Sequence, residues 1–421
     1  MLNPRQLSRW RSRAMFSLAP LPLSFFLGAC APETGSPPED AGFTRVDSAG
    51  VTVVESAEPA WADGEAWTLT QDPTLSIGAV DGPEEYILYR TVSPIRLDDG
   101  RILFSDAGAQ RLRFYDEQGV FLGSSGADGE GPGEFRSPGF IWRLGADSVA
   151  VMDFRLLRTS VFDLDGNFGR IIQLEGGPPG LAYPAGMFGD GTFLAQVSIE
   201  DDGVYEGETA GTFRDQIQYR RFDRDGQFVD TLVILPGSEL YRGAHADGSG
   251  GFTTNPHHGL SAHTIVGPSS WFYGSSETFE IQEWSQGGDL SKVIRLARGT
   301  RAMPQDVVTE WEERLLEMNS RSRALWGAIP LPDRLPAYEQ LLLDRAGNLW
   351  VAEYLVLEER PTWQVFAPDG RWLGTVATPA DGRIMDIGED YVLGVWRDEM
   401  GVETVRMYGL VKPAARESPG L

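Results

Sequence analysis

From residue 43 to residue 412 the chain alternates apolar and polar positions in short runs, and the runs are separated by turns rich in Asp and Gly. A period of two predicts half-buried strands, and an Asp-Gly pair between two such runs predicts a hairpin. The unit recurs at Arg111-Leu-Arg-Phe-Tyr-Asp-Glu-Gln-Gly119, Val161-Phe-Asp-Leu-Asp-Gly166, Arg221-Phe-Asp-Arg-Asp-Gly226, Glu283-Trp-Ser-Gln-Gly-Gly288 and Val365-Phe-Ala-Pro-Asp-Gly370, and in shortened form at Arg406-Met-Tyr-Gly409. A second hairpin precedes most of these, as at residues 95–106, 142–153 and 343–353. Two hairpins per unit make a four-stranded blade, and a repeat of roughly 40 to 60 residues is the mark of a propeller, because one blade buries its faces only against neighbours. The expected fold is therefore all-β: a six-bladed β-propeller of four-stranded blades. The last unit lacks its outer strand, and the alternating run 44–54 has the pattern to supply it and close the ring. Seven blades is the alternative, should residues 43–78 form a unit of their own.

One segment changes period. From Pro304, residues Val307, Val308, Trp311, Leu315 and Met318 fall at helical spacing, with Glu310, Glu312, Glu313 and Glu317 opposite. This predicts one inserted helix over about 304–325, docked by its apolar stripe. It belongs to one of three long departures from the repeat, at 198–216, 236–259 and 297–336. In a blade, the first-to-second and third-to-fourth turns share one face, while second-to-third turns and inter-blade links share the other. The first set is tight here, as at Asp98-Asp99-Gly100, Asp165-Gly166 and Asp369-Gly370; all three long segments belong to the second set. Long insertions confined to one side of a repeat scaffold mark a binding side.

Composition agrees with many short strands: 50 glycines and 11% aromatic residues in 421. The formal charge of −25 argues against nucleic acid, which demands a basic footprint. Arg5, Arg9, Arg11 and Arg13 precede an apolar stretch ending in Leu27-Gly28-Ala29-Cys30, the layout of a secretory signal over residues 1–29. The stretch is too short to span a bilayer and contains Pro20 and Pro22. Cys30 is the sole cysteine, so no disulfide forms within the chain. Residues 30–42 read as a Pro-rich flexible tether, 43–412 as the propeller and 413–421 as a disordered tail.

Two resemblances follow. Leu27-Gly28-Ala29-Cys30 resembles the lipobox of bacterial lipoproteins, which implies diacylglycerol on Cys30 and a lipid-anchored protein of the cell envelope; Ala31 after that cysteine implies the outer membrane. Gly126-Ala-Asp-Gly-Glu-Gly-Pro-Gly-Glu-Phe135 followed by Pro138 resembles the opening of NHL repeats, with Gly82-Pro-Glu-Glu-Tyr86 a weaker copy. The chain is thus similar to NHL and TolB-like six-bladed propellers, closely over about 78–175 and partly over 337–378. That implies a fold and leaves the activity open. The family's aspartate-to-arginine spacing recurs as Asp106 with Arg111 and Asp153 with Arg158, which implies two pairs fixing turns.

Candidate chemistry is sparse. The four histidines lie between His245 and His263, and Asn255, His257, His258 and His263 are candidate ligand contacts. Adjacent His257 and His258 would point apart in an extended segment, which weakens a closed metal site. Asp153, Glu353 and Arg397 fall at strand ends near the expected central channel. A divalent cation such as calcium held there would suit a gluconolactonase-like hydrolase or lyase, although no cofactor is required. No nucleophile elbow, P-loop, His-Glu-x-x-His or dinucleotide fingerprint is present. The favoured reading is a binding or scaffold module for a protein, peptide or carbohydrate of the envelope, and the metal-dependent enzyme is its alternative.

Overall fold

The computed structural model describes residues 42–199, 210–244, 251–357 and 359–413. Among these residues six sheets follow one another, each built on antiparallel strands. Sheet I comprises Thr91–Arg96, Ile102–Asp106, Arg111–Tyr115 and Phe121–Ser125, and sheet II comprises Pro138–Leu144, Ser148–Asp153, Arg158–Asp163 and Phe168–Ile172. Sheet III runs through Tyr183–Met187, Phe193–Ile199, Gly211–Phe222, Phe228–Ala244 and Gly251–Thr254. Sheet IV has His263–Val266, Ser270–Gly274, Glu280–Ser285 and Leu290–Leu296; sheet V has Tyr338–Leu343, Leu349–Glu353, Thr362–Phe366 and Trp372–Ala377. Sheet VI is built on Gly382–Ile387, Tyr391–Arg397 and Glu403–Val411.

Each sheet buries its faces against the next, as a repeat architecture requires. Leu103 and Val151 meet between I and II, Ala150 and Phe193 between II and III, and Tyr219 and Trp271 between III and IV. Ile281 and Phe366 meet between IV and V, and Trp363 and Trp396 between V and VI. Phe104 of sheet I and Leu393 of sheet VI share the sixth cluster, so the series of contacts returns to its start. These six sheets form a β-propeller, the expected fold class.

The closing device differs from the expectation in detail. Phe43–Ser48 and Val51–Ser56 pair with each other as a hairpin, and the second of them adds in parallel to Leu290–Leu296 at the outer edge of sheet IV. The backbone then crosses to sheet V, where the amides of Ala60 and Trp61 donate to the carbonyls of Trp372 and Leu373 at 2.9 and 2.8 Å. Only then do Thr68–Leu69 and Leu75–Ile77 pair with Glu403–Val411 and complete sheet VI. The ring is closed by an N-terminal segment, but by residues 68–77 and not 44–54. Residues 43–78 are divided among three sheets and form no sheet of their own.

This strap is held by aromatic packing. Trp61 and Trp67 lie 5.0 Å apart between ring centroids and rest on the cluster between sheets V and VI. Gly374 makes room for them: a Cβ there would come within 2.4 Å of the Trp61 ring. Leu75 and Ile77 are buried in the seam between sheets VI and I. Burying side chains of this size contributes about 1.5–3 kcal/mol each, so the seam depends on two strands of only a few residues.

The long insertion carries two helices, where one was expected. Helix α1 spans Gln305–Glu317 and buries Val307 and Trp311. Helix α2 spans Ser320–Trp326, and the Asn319 side chain caps it by accepting from the Ser322 amide at 3.0 Å. An Asn at this position ends one helix and starts the next, because its side chain satisfies an otherwise unpaired amide.

Candidate functional site

Strand direction alternates within each sheet, so the topology assigns every connection to one of two faces. The first-to-second and third-to-fourth connections are short throughout. In several of them the leading carboxylate is consumed locally: Asp344 accepts from the Ala346 and Asn348 amides at 2.9 and 2.8 Å and from the Trp350 indole at 3.0 Å. On the other face, the strands Gly211–Phe222 and Phe228–Ala244 extend beyond the blade as a long ribbon. The segment 236–259, expected as a link, is in large part this ribbon and its partner Gly251–Thr254. The ribbon meets the helical insertion through the Tyr241 hydroxyl, which donates to the Ala328 carbonyl at 3.0 Å.

The candidate residues divide into those spent on the fold and those left open. Asp106 and Asp153 belong to the first kind, and neither makes the predicted arginine pair. Asp106 bonds Arg113 at 2.6 Å and the Ala109 amide at 2.9 Å. Arg111 lies directly across the ladder from Asp106 and turns to the Ala109 carbonyl. Asp153 accepts four backbone amides, from Arg136, Ser137, Arg155 and Leu156, at 2.7, 3.1, 2.9 and 2.9 Å. Arg158, again directly opposite in register, reaches instead to the carbonyls of Glu130, Gly131 and Glu134. The recurring aspartate-to-arginine spacing therefore reports ladder register, whereas the charge is satisfied elsewhere.

His257 and His258 sit beneath α1. His257 stacks on Trp311 with ring centroids 4.3 Å apart, and His258 lies 4.1 Å from His257. His258 Nδ1 shares a 2.8 Å hydrogen bond with the Tyr354 hydroxyl, while its buried Nε2 has no partner among the described residues. Burial, reinforced by His257, pushes the His258 imidazole down to about 4, and burial alone does the same to His263. Burial, with Arg314 nearby, lowers His257 as well. All three are thus neutral near pH 7. His263 begins the innermost strand of sheet IV, its ring 5.6 Å from Tyr338, and its Nε2 is likewise buried and unpartnered. Asn255 is exposed and donates to the Glu239 carbonyl at 3.3 Å.

Glu353, at the end of the second strand of sheet V, accepts from Arg298 and Gln364, each at 2.6 Å. It lines a recess of about 160 Å³ with Phe279, Arg298 and Tyr354. Three larger cavities lie on the same face. One of about 250 Å³ is lined by His257, His258, Trp311, Arg314 and Leu355. The next, of about 330 Å³, shares Leu355 and adds Pro361, Asp381, Arg383, Arg397 and Glu403. A more open one of about 820 Å³ continues past Asp381 and Arg397 to Met400 and Arg406. The three larger cavities adjoin one another through shared lining residues, Leu355 between the first two and Asp381 and Arg397 between the last two.

Asp153 and Glu353 are not gathered around a cation. Asp153 has its oxygens filled by amides within sheet II, Glu353 is claimed by Arg298 and Gln364 in sheet V, and no three His, Cys, Asp or Glu among the described residues have metal-holding geometry. These donors do not fit the expected divalent ion. Residues that the sequence pattern missed are Trp311 as a ring partner, Tyr354, Arg383 and Glu403. The starts of the innermost strands, aligned as one ring of positions, would have singled out Arg383. Cys30, His245 and residues 200–209 of the first long departure lie outside the described residues, and among the described residues no helix is long and apolar enough to cross a membrane.

No protein-family model matches the chain, and no curated protein matches it. Solved structures do. An exported protein from Bacteroides fragilis is 11% identical, with 86% of this chain and 100% of that one covered at a TM-score of 0.46. A gluconolactonase from Xanthomonas campestris is 13% identical over 82% and 100%, TM-score 0.38. The calcium-binding protein regucalcin from Agrobacterium tumefaciens is 10% identical over 78% and 92%, TM-score 0.36. At these values no activity transfers, and the fold rests on the sheet topology described above.

Proposed function

We propose that the chain is an envelope-anchored binding propeller that engages a protein, peptide or carbohydrate on the face bearing the ribbon and the helices. The cavities of that face carry the reading: they run from His257 to Arg406, whereas the opposite face consists of tight turns in which Asp116, Asp163, Asp223 and Asp344 accept their own turn amides. A groove with unused polar groups is chemically equipped for a ligand, and a saturated turn is not. The test compares two exposed apolar positions, Leu357 on the first face and Val120 in a tight turn of the other, 50% and 54% exposed. A photoreactive residue at Leu357 should give discrete adducts in cell-envelope extract, and one at Val120 none. Equal labelling from both positions would remove the distinction. Anchoring is tested separately: Cys30→Ser should move the protein from the membrane pellet to the soluble fraction.

A further inference from the structure

The cavity between sheets V and VI holds two opposite charges that the fold does not use. Arg383 stands near the start of the innermost strand of sheet VI, exposed, and its guanidinium has no hydrogen bond or ion pair among the described residues. Asp381, two residues earlier, has left-handed backbone with φ of 60°; its carbonyl accepts the Arg397 amide at 3.2 Å, and its carboxylate has no partner among the described residues. An unpaired charge in the open is ordinary, so neither group alone means anything. Their surroundings are what distinguish them.

A third charge in the same cavity is built into place. Glu403 is 3% exposed, and its Oε1 accepts both Arg397 Nε at 3.0 Å and Arg397 Nη2 at 2.6 Å. Its Oε2 accepts the Thr91 amide at 2.7 Å, tying the pair to sheet I. A buried carboxylate satisfied in this way cannot release its arginine cheaply, so the Arg397 side chain is held and its Nη1 is left without a partner among the described residues. Leu355, Pro361 and Val395 supply apolar wall. The cavity thus combines donors from two guanidiniums, one free carboxylate and an apolar wall in about 330 Å³. Once Arg397 is set against Glu403, the remaining charges, Arg383 and Asp381, balance. A pure anion would leave Asp381 opposed, and a pure cation would leave Arg383 opposed.

We infer that this cavity binds a small zwitterion, an α-amino acid with an apolar side chain. Arg383 and Arg397 Nη1 take its carboxylate, Asp381 its ammonium, and Leu355, Pro361 and Val395 its side chain. The inference rests on reading this face as the ligand side, but it concerns a different cavity from the one that Leu357 lines, so its failure can be told from the failure of that reading.

The experiment is calorimetric titration of the full chain with L-leucine, N-acetyl-L-leucine and L-leucine amide. Leucine should bind, and each blocked form should bind at least tenfold more weakly. Asp381→Asn should weaken leucine at least tenfold and leave N-acetyl-leucine unchanged, because that probe has no ammonium to lose. Arg383→Ala should weaken both, with the melting temperature unaltered, since the side chain bonds nothing in the fold. Arg397→Lys keeps a charge beside Glu403 while removing the fork, and should also weaken both. No heat with leucine, or equal binding of leucine and either blocked form, overturns the inference. Such a result with Leu357 adducts still present leaves the ligand-facing side standing.

Discussion

Sheets I and II and sheet V place a carboxylate at the same point, the end of the second strand, and use it in opposite ways. Asp106 and Asp153 are buried and filled, the one by Arg113 and an amide, the other by four amides. Glu353 is partly open, held by two side chains at the edge of a recess. The difference follows from what comes next in the chain. A tight second-to-third turn brings its amides back onto the aspartate, whereas the longer loop after Glu353 carries Tyr354 and Leu355 away to line cavities. Where the repeat is intact the acid is structural, and where the loop lengthens the same position is freed.

The comparison breaks most decisively at Asp153. Replacing it with Ala strands four amides in a dry site and should cost about 4 kcal/mol in chemical denaturation; a cost under about 1 kcal/mol would show that the clamp is not structural. Next comes pH. His258 and His263 titrate at about 4 in the folded chain, against 6.5 when unfolded, so between those values the unfolded chain binds more protons. Stability is therefore full above pH 6.5 and falls as pH drops toward 4, by about 3 kcal/mol from the more deeply buried His263, with a smaller, water-screened share from His258. The double substitution His258→Gln with His263→Gln should flatten the melting temperature between pH 6.5 and 5, before the carboxylates contribute. Asp344→Ala, on the opposite face, should cost about 2 kcal/mol, because the same clamp chemistry operates there with fewer amides. Glu353→Gln should change stability by less than about 1 kcal/mol, since Arg298 is 43% exposed and water replaces the lost charge.

The blades were legible because period-two runs and Asp-Gly turns survive in nearly every unit. What escaped has definite causes. An arginine five residues after an aspartate is its ladder partner, but Arg113, two positions further along the same side of the strand, reaches Asp106; the matching position in sheet II is Ser160, which cannot do so, and amides substitute. The run 44–54 has an edge-strand pattern, and a pattern does not say which edge it joins. Thr68–Leu69 and Leu75–Ile77, which close the ring, are too short to show any period. Within the candidate site, Trp311 and the histidines were visible as residue types. The contact between them depended on where two insertions far apart in sequence would come to rest.

The strap has a mechanical corollary. A load applied at residue 42 meets the hairpin of Phe43–Ser48 with Val51–Ser56 first, then the pairing of Thr52 through Ser56 with Lys292 through Leu296, then the two bonds at Ala60 and Trp61, and only afterwards the strands at 68–77. The junction that keeps the circle shut is last in line, so tension would be spent on the rims of two other sheets before it could reach the weak point.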